Sequence, residues 1–169
     1  MANMMVIGRG GTGVKILQHF KLQLVQQEGA KLPAHIELLG MDTRPDLDNE
    51  IGIPWGTLGL LREQQLDPQT EYFSLRGDTE AWVKTMNDSH FMAKWFDYEY
   101  FKTYRPDLLR VQDGASQYPQ IGLLSLYFHL AGGENSSLYG MIKNKVMQLE
   151  QSPTIIVCGS LAGGTGASL

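Results

Sequence analysis

The chain has 169 residues, of which 43% are apolar and 19% charged, with a formal net charge of −4; this is about one domain, with enough apolar material for a real core, and it excludes a disordered acidic tail. Mild acidity leaves no footprint for nucleic acid or an anionic membrane, and neither is expected as a partner. One cysteine, Cys158, cannot form an internal disulfide, the histidines His19, His35, His90 and His129 lack the spacing of a zinc site, and no apolar run approaches the ~18 residues of a membrane span; the expectation is a soluble, cytoplasmic chain.

Residues 3–7 form a short apolar run that stops at Gly8, which suits a buried strand. From Val14 the period changes, with Leu17, Phe20 and Leu24 on one helical face as far as Gly29. Pro33 marks a turn, residues 35–39 read as a second strand, and residues 40–45 read as the turn that ends it. Strand, helix and strand make a βαβ unit, so the fold class is α/β with an open parallel sheet covered by helices on both faces.

Residues 46–110 are broken by Pro54, Gly56, Gly59, Pro68, Gly77 and Pro106 and read as an insertion-like stretch. Within it, 72–75 suit a short strand, and 79–86 and 91–101 suit helices, with Thr79 and Asp88 or Ser89 as N-caps. Trp82, Trp95, Phe96, Tyr98, Tyr100, Phe101 and Tyr104 concentrate there at helical spacing, which favours core packing over base stacking. A turn follows at 113–119, then an apolar helix over 121–131, buried on most sides. Residues 136–151 form an amphipathic helix with Leu138, Ile142, Val146 and Leu149 on one stripe, and 154–158 form a β-branched strand.

Two glycine-rich stretches sit where predicted strands stop: Gly8-Arg-Gly-Gly-Thr-Gly13 and Gly159-Ser-Leu-Ala-Gly-Gly-Thr-Gly166. In a parallel sheet both fall on the edge beyond the carboxyl ends of the strands, where open α/β sheets bind ligands. Backbone without Cβ atoms can turn successive N–H groups toward one anion, and a following helix adds its positive end. Each N–H to a charged acceptor contributes roughly 1.5–3 kcal/mol, so two such loops suffice to hold a polyphosphate without a lysine. A dinucleotide fingerprint is satisfied at Gly8, Gly10 and Gly13, but the acidic residue about 20 positions on is missing. A Walker A loop fails because Val14 stands where lysine is required and Lys15 comes one place late. The turn at Ser160 lacks the flanking glycines of a hydrolase elbow, and no histidine follows it.

Together these segments resemble the tubulin and FtsZ superfamily of GTP-binding proteins, most of all its bacterial tubulin-like branch. Ala162-Gly-Gly-Thr-Gly-Ala-Ser168 follows the tubulin signature, with Ser168 in place of the final glycine. The resemblance implies that Gly163, Gly164, Thr165 and Gly166 wrap the phosphates and that Gly10, Gly11 and Thr12 lie near phosphates and nucleoside. It also implies that Asp42, with Thr43, approaches nucleotide and metal. The family's third phosphate loop is matched in part by Gly114 and Ala115, with Ser116 where that loop has glycine. A Rossmann-like GTPase domain of tubulin or FtsZ type is thus implied over the whole chain, with GTP or GDP and Mg²⁺ as ligands and a head-to-tail homopolymer as the assembled form. In that family hydrolysis uses acidic residues of a later segment; the chain stops at Leu169, in the first turn of the helix after the signature loop, so the reading is of the N-terminal part of the domain, with no catalytic residue within it. The same helix would cover an apolar face of the sheet. Arg9 and Arg44 lie in the site loops, where solvated surface arginines are the default and phosphate contact the alternative. Two other classes stay open: a dinucleotide-binding domain of an NAD(P) or FAD oxidoreductase using the first loop, and a tubulin-like scaffold domain without nucleotide turnover, which the serines at 116 and 168 favour.

Overall fold

The computed structural model describes residues 3–29, 31–44, 65–86, 92–112, 114–149 and 152–168. In chain order they form β1 (Met4–Arg9), α1 (Gly10–Glu28), β2 (Ile36–Asp42), β3 (Tyr72–Ser74), α2 (Glu80–Met86), α3 (Tyr98–Tyr104), α4 (Pro119–Leu130), α5 (Ser137–Gln148) and β4 (Thr154–Gly159), with short 3₁₀ turns at Met92–Lys94, Pro106–Arg110 and Gly133–Asn135. The strands form one sheet in the order β3-β2-β1-β4, every pair parallel.

The alternation of side chains along the strands places helices on both faces. Val6, Ile36 and Leu38 pack on one side against Val14 and Leu17 of α1. Met5, Ile7, Leu39 and Met41 pack on the other against Leu138, Ile142 and Val146 of α5. The stripe read for α5 is the buried one, and Ser136 caps it by accepting a hydrogen bond from the Tyr139 N–H. A third core gathers Val83, Met92, Phe96, Tyr98, Phe101, Leu109, Val111, Ala115 and Ile121. The aromatic concentration therefore packs mainly as core, although Tyr100 and Tyr104 are exposed.

Several boundaries differ from expectation, each for a local reason. The strands run on into the stretches read as turns: β1 to Arg9, β2 to Asp42 and β4 to Gly159. Parallel neighbours supply the backbone bonds there, in the register Gly8↔Gly40, Arg9↔Met41 and Arg9↔Gly159. Helix α1 begins at Gly10, four residues before Val14, because Gly10 takes a left-handed φ of 68° that turns the strand directly into the helix. Residues 91–101 do not form one helix. Asp97 breaks the run by accepting a hydrogen bond from the Tyr100 N–H, which makes it the N-cap of α3. Thr79 stands at the N-cap position of α2, its carbonyl accepting from the Val83 N–H, but its hydroxyl donates to the Leu109 carbonyl instead of capping the helix; Asp88 and Ser89 lie outside the described residues. Helix α4 is buried at Ile121, Gly122, Leu124 and Ser125, and its last turn is half exposed. Strand β3 falls within the stretch read as an insertion, yet it is bonded to β2 in the central sheet. It is anchored through Glu71, whose carboxylate takes a buried ion pair from Lys21 of α1 at 2.6 Å.

Strand β4 is an edge strand on which Ile155, Ile156 and Val157 remain about half exposed. Among the described residues no helix is long and apolar enough to cross a membrane.

Candidate functional site

Three strands deliver their carboxyl ends to one edge, where three loops and the N-terminus of α1 meet. The residues after β1, β2 and β4, with residues 114–117 before α4, line a single cleft of about 490 Å³, within the range of small-ligand sites. Every residue implied for the site by the sequence resemblance lines this cleft: Gly10, Gly11, Thr12, Asp42, Gly114, Ala115, Gly163, Gly164, Thr165 and Gly166.

The glycines have two different tasks. A Cβ on Gly166 would lie 2.7 Å from the Ser160 carbonyl oxygen, and one on Gly164 would lie 2.8 Å from the Ala115 Cβ. These glycines let backbone pack on backbone where the loops cross. Around Gly163 there is nothing within 4 Å, and a Cβ on Gly11 would meet only the Asp42 Oδ2 at 3.7 Å. Those two positions leave room for a ligand to approach the main chain. Gly11 also belongs to the first turn of α1, whose N-terminus has no side-chain cap bond and no acidic residue in its first turn. Its free N–H groups and positive dipole end thus face the cleft.

Thr43 is the junction of the loops. Its Oγ1 accepts a hydrogen bond from the Ala115 N–H at 3.0 Å and lies 2.8 Å from the Thr165 Oγ1, while its N–H donates to the Asp42 Oδ1 at 2.7 Å. One buried hydroxyl thereby ties the end of β2 to the third and last loops. Asp42 is also buried, and burial pushes its carboxyl above the ordinary value, opposed by the bonds from Thr43 and Thr165 and by the charge of Arg44. Among the described residues no group of three His, Cys, Asp or Glu side chains converges. A lone carboxylate on the cleft suits Mg²⁺ carried in on a polyphosphate and kept largely hydrated, with Asp42 as the residue that would meet it.

The arginines divide. Arg44 lines the cleft at its exposed rim. Arg9 is not the solvated arginine expected: it is 2% exposed, and its guanidinium donates to the Ser168 carbonyl at 2.8 Å and to the Ser168 Oγ at 2.6 Å. Ser168, the departure from the signature glycine, also donates to the Thr165 carbonyl at 2.7 Å, so it closes the last loop on itself. Ser116, the departure in the third loop, has a left-handed φ of 45°, as Gln117 has at 66°. Lys15, one place late for a Walker A loop, lines the cleft from the second turn of α1. The sequence gives no site role to Lys15, Tyr72 or Gln117; in the fold Lys15 reaches the cleft from α1, Tyr72 from β3 and Gln117 from the third loop. Cys158 lies against the Ile7 carbonyl, and burial pushes its thiol up, away from reactivity.

An open parallel α/β domain with a main-chain-lined, anion-ready cleft at the carboxyl edge of its strands defines the class. Residues 5–169 match the family model described as tubulin like, and the chain belongs to that family. No curated protein and no solved structure matches it.

Proposed function

We propose that this chain is the nucleotide-binding part of a tubulin-like GTPase: it holds GTP or GDP with Mg²⁺ in the cleft, and the complete protein assembles head to tail into filaments. The observation that carries this reading is the convergence of the α1 N-terminus and three loops on one cleft, with Gly-Gly-Thr-Gly in both the first turn of α1 and the last loop, in a chain of the tubulin-like family. Gly10, Gly11 and Thr12 at the α1 N-terminus and Gly163 to Gly166 supply main-chain donors to the phosphates. Gly114 and Ala115 close the third side, and Asp42 meets the hydrated metal. A heterologous contact of the kind proposed does not close, so it builds polymers and not rings of fixed size.

Calorimetric titration of GTP, GDP and NADH, each with Mg²⁺, tests the reading. Guanine nucleotides bind and NADH does not; binding of NADH alone would point instead to a dinucleotide cofactor on the first loop. At 100 times its dissociation constant the nucleotide adds roughly 2.7 kcal/mol of stability, a Tm rise of about 5–10 °C for a chain of this length. Ser116 and Ser168, each where the family pattern has glycine, support a second reading, a scaffold that retains the fold without turnover. A flat thermal profile with GTP and GDP would select it.

A further inference from the structure

Among the described residues, Arg9 is a buried charge for which the site provides no ionic counterpart: it is 2% exposed, and none of the ion pairs includes it. Its two Nη atoms bond to neutral acceptors on Ser168, and its buried Nε has no hydrogen-bond partner. Burial pulls the guanidinium below its ordinary value, yet an arginine keeps its proton at any physiological pH. A buried, permanent cation without an anion is costly, and a stranded donor on the same group adds to that cost. Arg9 is among the residues that line the cleft where the α1 N-terminus and the last loop meet, and an anion that reached its buried Nε–H would supply both missing partners.

We propose that Arg9 is the phosphate-binding cation of this site: it receives the phosphate chain of the nucleotide at its free Nε–H while its Nη atoms hold Ser168, so that phosphate binding and closure of the last loop are one event. This rests on the nucleotide reading above and adds to it the residue that distinguishes a phosphorylated ligand from the bare nucleoside. Backbone amides alone recognise phosphate by geometry; a guanidinium buried behind them adds a charge that salt screens only weakly.

The test is the preference for phosphate, read as the ratio of GDP to guanosine affinity by calorimetry at low and high salt, with tripolyphosphate as a third probe. Arg9→Met is expected to lower GDP affinity about 10- to 100-fold more than it lowers guanosine affinity. Arg9→Lys, which keeps the charge but has no Nε–H fork, is expected to fall between, and Ser168→Gly to retain most of the preference. A folded R9M that keeps the wild-type ratio overturns the proposal while leaving the nucleotide reading intact. Should R9M fail to fold, R9K decides: a ratio lowered about tenfold supports the proposal, and an unchanged ratio overturns it. Wild-type protein that binds no guanine nucleotide, but binds tripolyphosphate in an Arg9-dependent way, would refute the nucleotide reading and keep Arg9 as the anion site; binding of neither refutes both.

Discussion

Removing the Thr43 hydroxyl without changing the side chain's shape is the sharpest probe of how the loops are held. Thr43 is 1% exposed and Ala115 is 3% exposed, so in Thr43→Val the Ala115 N–H loses its acceptor where water cannot replace it. A buried donor left unsatisfied costs about 1–3 kcal/mol, and the lost hydroxyl pair with Thr165 adds roughly 0.5–1.5. The Thr165 hydroxyl retains Asp42 as a partner, which limits the second figure, and the total comes to about 2–4 kcal/mol. Thr43→Ser keeps every hydrogen bond and removes one methyl group, for about 0.8 kcal/mol. Urea unfolding measures both. The expected result is a lowered midpoint at unchanged slope, with the valine variant losing at least twice as much as the serine variant. In calorimetry the valine variant also loses guanine-nucleotide affinity, because the third and last loops are no longer tied across the cleft. Equal midpoints for T43V and T43S would refute the reasoning: the hydroxyl would then carry no part of the loop junction.

Gly163→Ala is expected to leave stability within about 0.5 kcal/mol of wild type and to weaken nucleotide binding, whereas Gly164→Ala, whose Cβ would stand 2.8 Å from that of Ala115, is expected to destabilise the fold; thermal melts with and without nucleotide separate the two. Asp42→Asn is expected to raise ligand-free stability at pH 7, because burial raises the carboxyl's pKa in the fold and the ionised form therefore costs stability above that value. The gain should fade as the pH drops through the folded pKa into the ordinary carboxylate range, where folded and unfolded chains are both protonated. Mg²⁺-dependent nucleotide affinity should fall in the same variant. Lys21→Met strands the buried Glu71 carboxylate and is expected to cost about 3–5 kcal/mol, with much of it recovered in the double variant that also carries Glu71→Gln.

The parts of this fold that are legible in the sequence are those set by local periodicity. Strands β1 and β2 are short apolar runs because both faces are buried, and α1 and α5 show the helical stripe that packs on them. What local pattern misses is backbone satisfied at long range. Gly40 and Asp42 read as a turn, yet the Gly40 N–H bonds to the Glu71 carbonyl and the Asp42 carbonyl accepts from Leu75, so the ladder continues where composition suggests a stop. The site shows the same division. Its glycines are found by spacing alone. Thr43 has partners 72 and 122 residues away, and Arg9 is buried through a contact with Ser168 that spans 159 residues. An arginine beside glycines reads as surface until the other end of the chain is folded onto it.

The least regular stretch of sequence also positions part of the site. Ala115 belongs to the aromatic core with Phe96, Phe101, Leu109, Val111 and Ile121, while its N–H reaches Thr43 and its Cβ meets Gly164. Immediately after it, Ser116 and Gln117 are held left-handed, a conformation that costs non-glycine residues roughly 1–2 kcal/mol each. It is held between two fixed points, Ala115 in its core and the Tyr118 N–H bonded to the Ala115 carbonyl just before Pro119 starts α4. The third loop thus takes its shape from the aromatic core behind it as much as from its own residues. Ser116 can serve where the family pattern has glycine because that packing enforces a backbone its own preference resists.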